Sequence, residues 1–188
     1  MREPVEIWTV ALDPPDQEVR RLYGLLSPAE RERAGEPPLD LRKRRYVARQ
    51  GAVREILGRR LGVPAAEVHL ARSPGGKPVV SDDPRVRFSV ADSADLALVA
   101  VARCDVGVDV ERVRDRPIAA RSVGTEEFFE RWTKLEAVAK AGGAGLLRAR
   151  LGDGGFTCLP VHVGPGFAAA VAVEAHQVRV RVRPYKDA

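Results

Sequence analysis

The 188-residue chain has little cysteine, histidine, lysine or aromatic side chain. Its two cysteines, Cys104 and Cys158, form no CxxC pair, which excludes a disulfide framework and points to a reducing compartment. The three histidines, His69, His162 and His176, stand apart without zinc-ligand spacing. Aromatic residues make up 5%, and no nucleic-acid-binding signature accompanies them, which argues against a nucleic-acid partner. Long apolar runs are also missing. Leu96–Ala102 and Phe167–Val173 are strand length, far short of a membrane span. The opening segment MREPVEIWTV carries no apolar signal core. A cytoplasmic protein with no membrane partner is expected.

What is present is a core's worth of apolar residues and an excess of arginine. The chain is 45% hydrophobic and 30% charged, with net charge +5. That suits one domain or two small halves. Five of the 31 basic residues are lysines (Lys43, Lys77, Lys134, Lys140, Lys186), so 26 are arginines. Arginine favours forked contacts to phosphate or carboxylate. The charge points to an anionic partner without choosing among nucleic acid, acidic protein and phosphorylated ligand.

The pattern along the chain predicts a strand at Val5–Leu12 and a short helix capped by Asp16. Ser27-Pro28-Ala29-Glu30 is a capping box with proline in the first turn. Asp40 caps a long helix that ends at Gly62, with an apolar stripe of Tyr46, Val53, Ile56, Leu57 and Leu61 and arginines, Arg54 among them, on its other faces. Short strands follow at Val68–Arg72, Lys77–Ser81, Val86–Val90, Leu96–Ala102 and Asp105–Val110. A polar connection, Arg112–Gly124, leads to a helix capped by Thr125 and running Glu126–Ala141. Strands at Phe156–Val163, Phe167–Glu174 and Gln177–Arg183 close the chain. The order reads as two α+β halves, 1–102 and 103–188.

Three features could carry chemistry. In Val106-Gly107-Val108-Asp109-Val110-Glu111, alternation puts Asp109 and Glu111 on one face of a strand. Two such carboxylates suit an oxygen-ligated cation such as Mg²⁺, or a solvated strand end with Glu111 paired to Arg112 or Arg114. Trp132, Glu136 and Lys140 share one stripe of a helix, either as a site or as a core tryptophan beside an ordinary i,i+4 ion pair. Gly75-Gly76-Lys77-Pro78 is a tight turn that presents a lysine, to a phosphate or to solvent.

Taken together, Gly76-Lys77-Pro78, Phe88–Ser93, Gly107–Glu111 and Trp132–Leu146 resemble the 4′-phosphopantetheinyl transferase superfamily, specifically its monomeric, surfactin-synthetase-activating branch. Ser27–Glu30 and Arg45–Arg49 resemble its N-terminal half. The resemblance implies a monomer of two similar α+β halves, each a small, mostly antiparallel sheet on a long helix, with the active site at their interface. It implies Mg²⁺-dependent transfer of 4′-phosphopantetheine from coenzyme A to a serine of an acidic acyl or peptidyl carrier protein, in polyketide or nonribosomal peptide synthesis, with release of 3′,5′-ADP. By motif position, Asp109, Glu111 and Glu136 would hold the metal. Glu136 would also be the base and Lys140 would touch the transferred phosphate. Arg33, Arg45, Arg49, Lys77, Pro78, Asp92 and Ser93 would bind coenzyme A.

Three departures stand out. Ala91-Asp92-Ser93 replaces the family's Ser-His-Ser and puts an acid where the ligand's phosphates are expected. Leu135 replaces a lysine beside Glu136, and Lys134 lies one position off, about 100° round the helix. The 112–131 segment is shorter than the family's usual connection, which helps dock the carrier. The alternative is a divergent member that binds coenzyme A or a related ligand and has lost transfer or acquired another reaction.

Overall fold

The computed structural model describes residues 4–114, 124–143, 155–175 and 178–186. Most of the Arg112–Gly124 connection and the end of the Trp132–Leu146 motif lie outside them, as does His176. The described elements are β1 (Val5–Ala11), α1 (Asp16–Gly24), α2 (Pro28–Ala34), α3 (Leu41–Leu61), β2 (Leu70–Arg72), β3 (Pro78–Val80), β4 (Arg87–Ser93), β5 (Leu96–Ala102), β6 (Val106–Arg112), α4 (Thr125–Gly142), β7 (Thr157–Pro160), β8 (Phe167–Val173) and β9 (Val180–Pro184). The fold is mixed α+β, as expected.

The two all-apolar strands, β5 and β8, sit where both faces are covered. In β5, Ala97, Val99 and Val101 pack with Trp8, Val10, Phe88 and the α3 residues Val53, Ile56 and Leu57. Its alternate residues Leu98, Ala100 and Ala102 face Val106, Val108, Val110, Val171 and Val173. In β8, Ala170 and Ala172 meet Ala137 and Ala141 of α4. The layers therefore run α3, first sheet, second sheet, α4. The first sheet has the order β4-β5-β1-β9 and the second β6-β8-β7, with β2 and β3 as a separate pair. A strand buried on both sides has no polar face to keep, which explains the unbroken apolar runs.

β9 departs from the expected chain order. It crosses back and pairs in parallel with β1, Val5 opposite Val180 through Thr9 opposite Pro184. Tyr185 and Lys186 then tie this end down, Tyr185 Oη donating to Glu55 and Lys186 pairing with Glu18. Two caps shift by one residue. Pro15 and Gly124 stand at the N-caps, so Asp16 and Thr125 are the first helical residues and make no side-chain cap. Asp16 still places negative charge where the helix dipole favours it.

Arg54 is the clearest correction among the helices. It points inward, its side chain only 3% exposed, and donates through Nε to Glu30 Oε2 at 2.6 Å. Its Nη1 reaches the carbonyls of Ala65, Ala66 and Val68. Glu30 is the capping-box acid, and its other oxygen accepts from Gln50. Burial alone would raise the Glu30 pKa, but the bonds from Gln50 and Arg54 hold it below the usual carboxylate range. One ion pair thus joins α2, α3 and the chain after α3. Arg54→Met leaves Glu30 buried without its cation, and urea unfolding should show a loss of about 3 kcal/mol or more.

Candidate active site between β6 and α4

Residues Gly107, Asp109 and Glu111 fall on one face of β6, the face toward α4. Helix α4 rests on Gly107: a Cβ built there would lie 2.0 Å from the Ala137 carbonyl oxygen and 2.4 Å from Ala141 N. Small side chains continue the contact, with Ala170 and Ala172 of β8 under Ala137 and Ala141. A glycine inside a strand signals this kind of close approach. It was legible in the sequence and is the residue the motif reading left without a role.

That approach brings Lys140 onto Asp109. Lys140 Nζ lies 2.7 Å from Asp109 Oδ1, with the lysine 33% and the aspartate 8% exposed. Asp109 Oδ2 is buried and has no hydrogen-bond partner among the described residues. Burial raises the Asp109 pKa to about 6, with Glu111 and Glu136 adding to the rise and Lys140 opposing it. Two further carboxylates are therefore within electrostatic reach of an oxygen that lacks a donor. Among the described residues, no three metal-ligating side chains converge to enclose an ion by themselves. Mg²⁺ does not need that. It is held by one or two carboxylates, with water and phosphate oxygens completing the set. The all-oxygen donor set and the partnerless Oδ2 fit such a cation.

β4 supplies the other wall. Ser89 and Ser93 are four residues apart, as are Val108 and Arg112 on β6. Ser89 Oγ accepts from Val108 N at 3.1 Å and Ser93 Oγ from Arg112 N at 3.1 Å. Ser93 Oγ also donates to Glu111 Oε2 at 2.8 Å. Glu111 is thus held by a serine rather than by Arg112 or Arg114, and Arg112 turns to Asp95 instead. Ser89 was not among the expected residues. β6 is an edge strand, and these hydroxyls satisfy backbone donors that no neighbouring strand reaches.

A cavity of about 330 Å³ opens beside this group, lined by Gly75–Pro78, Phe88–Val90, Glu136, Ala139, Lys140 and Gly143. It brings together Lys77, Pro78, Glu136 and Lys140 from distant parts of the chain. Trp132 lies further along the same helix, half-buried and stacked on Phe128 with centroids 6.3 Å apart. It is not a core residue.

The arginines form a separate group on α2 and α3. Arg45 grips Asp13 with two bonds of 2.7 and 2.6 Å. Arg49 pairs with Asp92 and lies over the Tyr46 ring at 5.5 Å, while its Nε is buried without a partner among the described residues. Arg33 is exposed, and its charge opposes the rise that burial gives the Tyr46 pKa. Each of the two α3 arginines already holds a carboxylate of the chain itself, across 32 and 43 residues.

Asp109 titrates higher in the native chain than in the unfolded one, so its charge costs stability at pH 7, and the cost shrinks as pH falls through about 6 and is gone only below the ordinary value of 3.8. Asp109→Asn should unfold at no lower urea concentration than the parent at pH 7 while losing Mg²⁺ binding in calorimetry. Parent Mg²⁺ affinity should weaken below about pH 6, where the carboxyl takes up its proton. Gly107→Ala pushes α4 off β6 and should cost about 3 kcal/mol in urea unfolding.

No protein-family profile matches the chain. It is 31% identical over 171 residues to the 4′-phosphopantetheinyl transferase HetI of a Nostoc species, covering 79% of this chain and 72% of that protein. It is 25% identical over 210 residues to the 4′-phosphopantetheinyl transferase psf-1 of Bacillus pumilus, covering 95% and 90%. A third relative, the 4′-phosphopantetheinyl transferase gsp of Aneurinibacillus migulanus, is 27% identical over 128 residues, 54% of this chain and 53% of its own length. The first match, over most of both chains, settles the family: this chain belongs to the 4′-phosphopantetheinyl transferases and is a transferase of phosphopantetheine.

Proposed function

We propose that the chain transfers 4′-phosphopantetheine from coenzyme A to a serine of an acyl or peptidyl carrier protein and releases 3′,5′-ADP. The observation that carries this reading is the Asp109 carboxylate, with one oxygen on Lys140 and the other buried and partnerless, next to a cavity shared with Glu136. The serine oxygen forms a bond to the phosphorus nearest the pantetheine. The bond from that phosphorus to the bridging oxygen of the pyrophosphate breaks, and the bridging oxygen leaves with 3′,5′-ADP. The serine proton passes to Glu136.

Charge in this reaction spreads over the phosphoryl oxygens, so positioning and fixed cations do most of the work. Lys140 reaches the transferred phosphate from the end of α4. Asp109, Glu111 and Glu136 would hold Mg²⁺, which when bound neutralises pyrophosphate charge and lowers the barrier to its departure. A carboxylate base suffices for serine where such cations stabilise the developing charge. Residues 1–102 would supply the adenosine and 3′-phosphate side, through Arg33, Arg45, Arg49, Pro78 and Ser93, and residues 103–188 the metal and catalytic side. The net charge of +5 would attract both a triphosphorylated donor and an acidic carrier.

Asp92 favours the alternative, a divergent member that binds coenzyme A or a related ligand and has lost transfer or acquired another reaction. Its pairing with Arg49 neutralises the cation that a ligand phosphate would use. Asp92→Asn and Asp92→His free Arg49 and should tighten coenzyme A binding about tenfold in calorimetry, about the worth of one exposed-to-half-buried charged contact. Unchanged affinity would show that the arginine is not a ligand group.

The reaction is tested by incubating the protein with Mg²⁺, coenzyme A and a set of apo carrier proteins and weighing the intact carriers. The phosphopantetheine adduct should form with the parent and be absent with Glu136→Gln, which should remain folded by circular dichroism. No adduct on any carrier, with coenzyme A still bound, would favour the alternative.

A further inference from the structure

The Gly75-Gly76-Lys77 turn lies against the end of α4 rather than out in solvent. A Cβ on Gly75 would sit 2.4 Å from the Gly143 carbonyl oxygen. Gly143 closes the helix in the left-handed region, with φ +62. The turn is braced internally, Ser73 N donating to the Lys77 carbonyl at 2.9 Å and Arg72 Nη1 to the Gly76 carbonyl at 2.7 Å. The Lys77 ammonium then donates to the Ala141 carbonyl at 2.9 Å and to the Val106 carbonyl at 3.0 Å. Two of its three N–H donors are therefore used on the protein's own backbone. A cation also suits the carbonyl end of a helix.

The two carbonyls are not arbitrary. Ala141 directly follows Lys140, and Val106 begins the strand that carries Asp109 three residues later. We propose that Lys77 is a positioning residue: its ammonium bridges the start of β6 and the end of α4, and so fixes Lys140 over Asp109. It acts through α4 and not as a phosphate ligand of the donor. Burial holds its pKa below the usual lysine value, in keeping with an ammonium enclosed by protein. The kinetic part of this inference rests on the phosphopantetheinyl transfer proposed above, with coenzyme A as donor. The structural part does not.

Both parts can be read on Lys77→Met. By amide hydrogen exchange on the ligand-free protein, residues 137–143 should exchange at least tenfold faster, while residues 45–58 of α3 keep their rates. In transfer assays, kcat should fall about tenfold with the donor KM changed less than threefold, and by the same factor with coenzyme A and with dephospho-coenzyme A. Lys77→Arg, which keeps a cation with several N–H donors, should recover most of the kcat and of the exchange protection. It also serves as the reading variant if Lys77→Met does not fold. Unchanged exchange at 137–143 would overturn the proposal, as would a loss confined to coenzyme A, which marks a direct contact to its 3′-phosphate. A parent protein that transfers nothing would remove the proposed function, and the exchange measurement would still decide the bridge.

Discussion

Helix α4 can lie on the second sheet only because β6 has no side chain at residue 107 and β8 offers alanines beneath it. Backbone meets backbone there, and nothing longer than hydrogen fits. The Lys140–Asp109 contact of the candidate site depends on that distance. Lys140 sits one residue before the helix's contact at Ala141, and Asp109 two residues after the contact at Gly107. With the helix a few tenths of an ångström further out, the 2.7 Å ion pair lengthens and weakens. The burial of the Asp109 oxygen that lacks a partner among the described residues also follows from it.

The first sheet holds the other side of this arrangement. Serines of β4 take the outward-facing N–H groups of β6 and fix Glu111. The glycine turn before β3 meets the end of α4. The candidate cavity therefore has walls from β4 of the first sheet, the β2–β3 turn and α4, and β9 pairs back along β1. A buried carboxylate left short of donors costs stability, and such costs persist where function uses them. The surplus of arginine has a different use at α3, where Arg45 and Arg49 each hold an aspartate of the chain.

Much of this was legible because it is local. The capping box at Ser27–Glu30, the cap at Asp40, the left-handed stop at Gly62 and the bounds of β5 all follow from neighbours within a turn or a strand. Long-range pairings were not. Arg54 reads as one more surface arginine until Glu30 is seen opposite it, and nothing near Asp92 names Arg49 as its partner. β9 pairs in parallel with a strand at the other end of the chain, and parallel pairing leaves no turn between the partners to announce it. Asp109 and Lys140 stand out by motif, but the reason they meet is Gly107, whose signal is a glycine in a strand of valines.

The most direct measurement is the release of 3′,5′-ADP from coenzyme A, followed by phosphorus NMR with Mg²⁺ and an apo carrier protein present. Release should equal the amount of carrier modified and should require the carrier. No release with any carrier, or release that proceeds equally without one, would contradict the assignment of Asp109, Glu136 and Lys140 to phosphopantetheinyl transfer.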